Sequence, residues 1–298
     1  MKKKLFIMAL FLIVMTIVAT GCGKGDQASS DKADSLSDSV KVAAYKGTSS
    51  QVVKNLGKDY TVKEYDNLLN LEKAVERDAY DVAVMPTTDA DWLYGKTGRE
   101  LKILSPVSMG GLYLLSNNYV LENPKMSNFV RKTIYVTGER STGAKVFEYL
   151  MMEAGIGSSS YKIKVLDSYE EVEKAINDYG NFAIVEQPFA KKYLKNRSVV
   201  KVMDLEQAWK KATDLELPMD VLVCSKEFYK NRSDDVSLVL ADYEKATEKV
   251  AGKSGRPVFY GASNRGCSLV KAFNKEIVKN VPGLFNGKDG SKIYYLEK

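Results

Sequence analysis

The chain repeats itself, and the repeat restricts what it can fold into. The segment LEKAVERDAYDVAVMP at 71–86 is echoed by VEKAINDYGNFAIVEQP at 172–188. Within it, Glu72-Lys73-Ala74 returns as Glu173-Lys174-Ala175, 101 positions later. Short β-branched runs alternate with amphipathic stretches on either side. The first copy predicts strands at 40–44, 61–64 and 81–85, with helices at 49–56 and 67–78 between them. The second predicts strands at 133–136, 162–166 and 182–185, with helices at 141–154 and 169–179. A helix, a strand and a proline recurring together imply two similar β-α-β-α-β lobes. Two further strands, at 111–116 and 221–225, are placed to cross between the lobes. The expected fold class is α/β with two lobes, each a mostly parallel sheet flanked by helices, joined by two hinge strands. Lobe 1 takes residues 40–112 and 220–298, lobe 2 takes 113–219, and helices at 234–250 and 266–280 return to cover the first lobe.

The 298 residues include no histidine and only three cysteines. A Ser-His-Asp triad, a Cys-His pair, an HExxH zinc site and a histidine general base are therefore impossible here. No metal site or cofactor is expected, and the chain is not expected to be an enzyme. The N-terminus carries Lys2, Lys3 and Lys4 ahead of an apolar run, Leu5 to Ala19, broken only by Thr16. At ~1.5 Å per residue that run reaches about 22 Å, short of a ~30 Å hydrocarbon core. It reads as a signal peptide over 1–21. The run ends Ala19-Thr20-Gly21-Cys22, which resembles the bacterial lipobox; the resemblance implies cleavage before Cys22 and a lipid on its thiol. Three lysines leave with the leader, taking the formal charge from +6 to +3, so no nucleic-acid partner is indicated. Residues 22–39 read as the lipidated cysteine and a flexible tether poor in apolar residues. Cys224 and Cys267 are expected to stay free and buried, with a disulfide as the alternative.

From residue 40 onward, several segments carry a family resemblance: AAYKGTSS (43–50), DVAVMPTTDADWLYGKTG (81–98), SMGGLYLLSNN (108–118), TIYVTGERSTG (133–143), FAIVEQPFA (182–190) and DLEQAWKKAT (204–213). In order and spacing they resemble the substrate-binding lipoproteins of ABC importers in the nitrate/taurine/sulfonate group. The resemblance implies a type II periplasmic binding protein fold and a monomer that captures a small solute by lobe closure. It also implies delivery of that solute to a permease with its ATPase, from a lipid-anchored position on the outer side of the cell membrane.

In such open sheets ligands bind beyond the carboxyl ends of strands, where helix N-termini aim N–H groups into the crevice. The first lobe offers Lys46, Gly47, Thr48 and Ser49, then Thr87, Thr88 and Asp89. The second offers Gly138, Ser141, Thr142 and Glu186. Hydroxyl-rich helix starts suit a small anion such as a sulfonate or oxoanion; the alternative for Thr48, Ser49, Ser141 and Thr142 is simple capping. Glu186 would favour a zwitterion unless it pairs, for example with Lys46. The tyrosines admit a planar ligand instead, a pyrimidine, thiamine precursor or flavin, although Tyr94, Tyr113 and Tyr149 read as core. Arg140 reads as a solvated rim charge and Trp92 and Trp209 as structural. A ligand sensor uncoupled from transport is the other alternative, and an enzyme on this layout would have to use Asp89 with Glu186.

Overall fold

The computed structural model describes residues 35–97, 101–178, 180–251, 256–261 and 263–295. The expected signal peptide, Cys22 and most of the tether lie outside the described residues. The chain opens with β1 (Val40–Tyr45), α1 (Thr48–Val53), β2 (Tyr60–Tyr65), α2 (Leu68–Glu76), β3 (Val82–Pro86), α3 (Thr87–Thr97) and β4 (Lys102–Met109). It continues with β5 (Leu112–Asn117), β6 (Thr133–Val136), α4 (Thr142–Glu153), β7 (Lys162–Val165), α5 (Tyr169–Ile176), β8 (Phe182–Glu186), α6 (Phe189–Tyr193), β9 (Val199–Asp204) and α7 (Leu205–Thr213). It closes with β10 (Pro218–Cys224), α8 (Lys226–Asn231), α9 (Ser233–Val250) and α10 (Asn264–Ile277).

Local chemistry accounts for these limits. The helices α2, α4 and α5 begin behind Asn67, Ser141 and Ser168, whose side chains accept the N–H groups of Asn70, Ala144 and Glu171. Each satisfies a donor that the first helical turn leaves open. Every residue of β3 and β10 is buried, as a strand covered on both faces must be.

The repeat in the sequence is a repeat in space. One sheet runs β2-β1-β3-β10-β4 and the other β7-β6-β8-β5-β9. In each, three parallel strands come first, with β1 beside β2 and β3, and β6 beside β7 and β8. The fourth place is taken by an antiparallel strand that arrives from the other half of the chain, β10 in the first sheet and β5 in the second. The crossings themselves are short: Gly110-Gly111 between β4 and β5, and residues 214–217 ahead of β10. Gly110 N–H donates to Leu217 O at 2.8 Å, tying one crossing to the other. Both glycines have positive φ, 53° and 71°, a region open to glycine at little cost.

The strands β4 and β9 were not among those read from periodicity. β4 lies at a sheet edge and carries Pro106, which edge strands tolerate, and its pairing with β10 is irregular around that residue. The tether also ends sooner than expected. Ser37 donates its N–H and hydroxyl to Asp235 at 2.9 and 2.5 Å, so this stretch is pinned to α9.

Helix α9 packs on α1, covering the outer face of the first sheet. Helix α10 does more than return to that lobe: Val270 joins a cluster that takes in both sheets, with Ile103 and Val221 from the first and Ala183 and Val185 from the second, while Phe273 and Ile277 join the cluster around Trp209. Tyr94 and Tyr149 are core, as expected, while Tyr113 is only half-buried. Cys224 is buried, Cys267 half-buried, and the two are unpaired. Among the described residues no helix is long and apolar enough to cross a membrane.

The C-terminal segment closes on α3, where Tyr94 donates to Asp289 O at 3.1 Å. Gly95 makes the approach feasible, because a Cβ there would stand 2.4 Å from the carbonyl carbon of Phe285. Gly95→Ala is therefore expected to destabilise the fold by about 1–3 kcal/mol through overpacking. A denaturation midpoint equal to that of the parent would show that the segment does not pack there.

Candidate functional site

The carboxyl ends of the parallel strands in both sheets meet across one cleft. Four hydroxyl groups bridge it, each donating to a backbone carbonyl of the opposite lobe. Tyr45 Oη reaches Thr137 O at 3.2 Å, Thr48 Oγ1 reaches Gln187 O at 2.8 Å, and Thr88 Oγ1 reaches Arg140 O at 2.7 Å. Thr142 Oγ1 reaches Met219 O at 2.7 Å. Neutral bonds of this kind are each worth about 1 kcal/mol net. Gly138 lets Leu68 in from the opposite lobe, since a Cβ at Gly138 would stand 2.7 Å from Leu68 Cδ2.

Arg140 supplies the strongest contact, which corrects its reading as a solvated rim charge. Its guanidinium forks onto Glu72, with Nε at 3.0 Å from Oε1 and Nη2 bonded to Oε2. Nε also lies 3.4 Å from Asp89 Oδ1, and the guanidinium carbon stands 3.8 Å from the centre of the Trp92 ring. Glu72 and Asp89 are almost fully buried. Burial, reinforced by the charge of Glu72, pushes the Asp89 carboxyl well above its ordinary range despite Arg140. Trp92 is thus part of the contact between the lobes.

Beneath this clasp lies a cavity of about 20 Å³, room for roughly one water. Glu186, Asp220, Tyr169, Thr137, Ser141 and Thr142 contribute its polar lining. Glu186 Oε1 accepts a hydrogen bond from Tyr169 Oη at 2.5 Å. Asp220 Oδ2 accepts from the hydroxyls of Ser49 and Ser108 at 2.8 and 2.7 Å. Burial first, and then the negative Asp220, push the Glu186 carboxyl up to about 8, while the Tyr169 bond opposes the rise. Burial likewise raises Asp220, against its two serine hydroxyls.

The expected site residues therefore divide into groups. Ser141, Thr142 and Glu186 line the cavity. Gly47 lies against it, since a Cβ there would stand 3.2 Å from Glu186 Oε1. Ser49 orients Asp220, while Thr48, Thr88 and Asp89 hold the lobes together. Thr87 donates to Pro218 O at 3.2 Å. Lys46 stands apart: it pairs with Asp66, so the pairing considered for it with Glu186 is not found. Ser141 is an N-cap as well as a lining residue. Asp220, Tyr169, Tyr45 and Glu72 were missed. Asp220 had a legible signal, a lone carboxylate inside the apolar run PMDVLVC, where charge is rarely buried without a reason.

Two lobes built on one strand order, exchanging a strand at each crossing and closing over a shared cleft, make a type II periplasmic binding protein fold. The ligand-binding component of an ABC-type import system from Staphylococcus aureus, solved with zinc bound, matches with a TM-score of 0.66 at 14% identity, covering 86% of this chain and 96% of that one. An ABC transporter protein from Parabacteroides distasonis matches at 0.58 and 18%, covering 87% and 99%. The alkanesulfonate-binding protein of Xanthomonas axonopodis pv. citri, bound to MOPS, matches at 0.60 and 12%, covering 87% and 83%. These are likenesses of fold, and they meet the resemblance read from the motifs. No curated protein sequence matches the chain. A family model described as menaquinone biosynthesis matches residues 58–255, and the chain belongs to that family.

Proposed function

We propose that this protein is the lipid-anchored, extracytoplasmic solute-binding component of an ABC importer. Its lobes close on a small solute and present it to a permease. The observation that carries this reading is the junction between the lobes: four hydroxyl-to-carbonyl bonds and the Arg140 clasp over one small cavity. Such contacts are polar and reversible, and the two crossings are short and tied together, as hinge closure requires. The import-system neighbours, all of this fold, support the same role. Anchoring through Cys22 rests on the lipobox-like run Ala19-Thr20-Gly21-Cys22.

Among the described residues, the cations considered for the anionic form of this reading are already paired. Lys46 is held by Asp66, and Arg140 by Glu72 and Asp89, while the cavity presents Glu186 and Asp220. A zwitterion meeting Glu186 through its amine, or a heterocycle with N–H donors, fits that lining better than a bare sulfonate.

Membership of a family described as biosynthetic favours a second reading, an enzyme. A carboxyl pushed up to about 8, as Glu186 is, can both give and take a proton near neutral pH. The carboxylates available are then Glu186 and Asp220, since Asp89 is committed to Arg140.

Incubation with a metabolite mixture, followed by mass spectrometry of retained and released compounds, separates the two. A solute-binding protein retains one compound and returns it unchanged. At about 100 times the dissociation constant, that compound adds roughly 2.7 kcal/mol of stability. Recovery of a chemically altered compound would replace the first reading with the second.

A further inference from the structure

We propose that the cleft around this cavity, once the lobes part enough to admit it, selects a solute bearing a positively charged N–H group, a protonated amine, amidine or guanidine, which donates to Glu186 and Asp220 together. The inference rests on the solute-binding reading and specifies its ligand. Three of the lining hydroxyls have already given their hydrogens away. Ser141 donates to Gly138 O at 2.8 Å, Thr142 to Met219 O, and Tyr169 to Glu186. The two carboxyl groups of the lining keep acceptor oxygens in reserve. Asp220 is only 5% exposed and uses Oδ2 for Ser49 and Ser108, leaving Oδ1 without a hydrogen bond among the described residues. Glu186 uses Oε1 for Tyr169, leaving Oε2 in the same condition. Two carboxyl groups enclosed at one cavity cannot both ionise at little cost until a positive charge comes between them.

The first turn of α4 begins at the cavity, where Leu112 and Ile184 pack close to Gly143: a Cβ there would stand 2.9 and 3.0 Å from their methyl carbons. The nearby cations point elsewhere, Arg140 to Glu72 and Asp89, Lys46 to Asp66. A ligand that brings its own charged donors completes this arrangement, whereas a sulfonate adds a negative charge to an already acidic lining.

The test is a binding titration with putrescine, agmatine, benzamidine and a protonated aminopyrimidine on one side, and methanesulfonate, taurine and acetate on the other. At least one cationic probe is expected to bind and to raise the unfolding temperature. Glu186→Gln, close in shape and free of charge, should weaken that probe by about ten- to a hundredfold, the loss of one charge-assisted hydrogen bond. Asp220→Asn should do the same; should it fail to fold, Glu186→Gln with a circular dichroism control carries the test. Methanesulfonate or acetate binding while every cationic probe fails overturns the inference and leaves the solute-binding reading standing. Cation binding that is unchanged in Glu186→Gln overturns it as well. Chemical conversion of a probe removes the solute-binding reading itself.

Discussion

Arg140→Ala should open the molecule. The substitution strips Glu72 of its counter-charge beside Asp89, and both side chains are almost fully buried. Removing one partner of a buried pair costs about 3–5 kcal/mol. Parting the lobes relieves that cost by letting water reach both carboxylates, at the expense of the four hydroxyl-to-carbonyl bonds. The closed form should therefore lose about a hundred- to several-thousandfold in population. Ligand affinity should fall by the same factor, because only the closed form surrounds the cavity. Arg140→Lys should recover part of the loss, since an ammonium supplies the charge but neither the fork onto Glu72 nor the flat face over Trp92. Unchanged affinity and unfolding temperature in Arg140→Ala would show that the clasp is idle.

The second large effect is on stability against pH. The folded state holds a proton on Glu186 up to about 8, whereas the unfolded chain releases it in the ordinary carboxylate range. The native state thus binds more protons between those limits, and stability must fall as pH rises through them. The penalty from this group is absent below the unfolded value and complete above about 8. Its slope approaches 1.4 kcal/mol per pH unit. Asp220, raised by burial, adds to the fall in the same direction. Glu276 acts oppositely: the Lys279 ammonium holds it below its ordinary range, so its contribution is lost only in more acid solution. An unfolding temperature that drops by a few degrees per unit from pH 5 to 8 is expected. Glu186→Gln should flatten that trend and exceed the parent at pH 8. A flat or rising profile in the parent, or an unaltered slope in the variant, would contradict the account.

What could be read in advance depended on how far apart the interacting residues lie. The repeat announced two similar sheets because strand and helix periodicities are local properties. Asn67, Ser141 and Ser168 announced helix starts because a cap acts within three residues. Strand β4 was hidden by Pro106, which weakens a strand pattern unless the edge position is already known. Arg140 looked like a rim charge because its partner Glu72 is 68 positions away, and nothing local tells a paired arginine from a solvated one. The hydroxyls of Thr48, Thr88 and Thr142 were chosen as anion donors, yet each is used by a carbonyl of the other lobe. The positions were legible, while their bonds required the closed cleft. The acidic character of the cavity was half visible in Glu186 and missed in Asp220, whose setting in an apolar strand should have raised the question.

The central claim is that the two lobes close on a solute without changing it. Small-angle scattering of the protein, with and without saturating amounts of the compound that binds the cleft, tests it most directly. The account predicts a smaller radius of gyration in the presence of the compound and a persistently larger radius in Arg140→Ala. A radius indifferent to the compound, and equal in parent and variant, would contradict capture by closure.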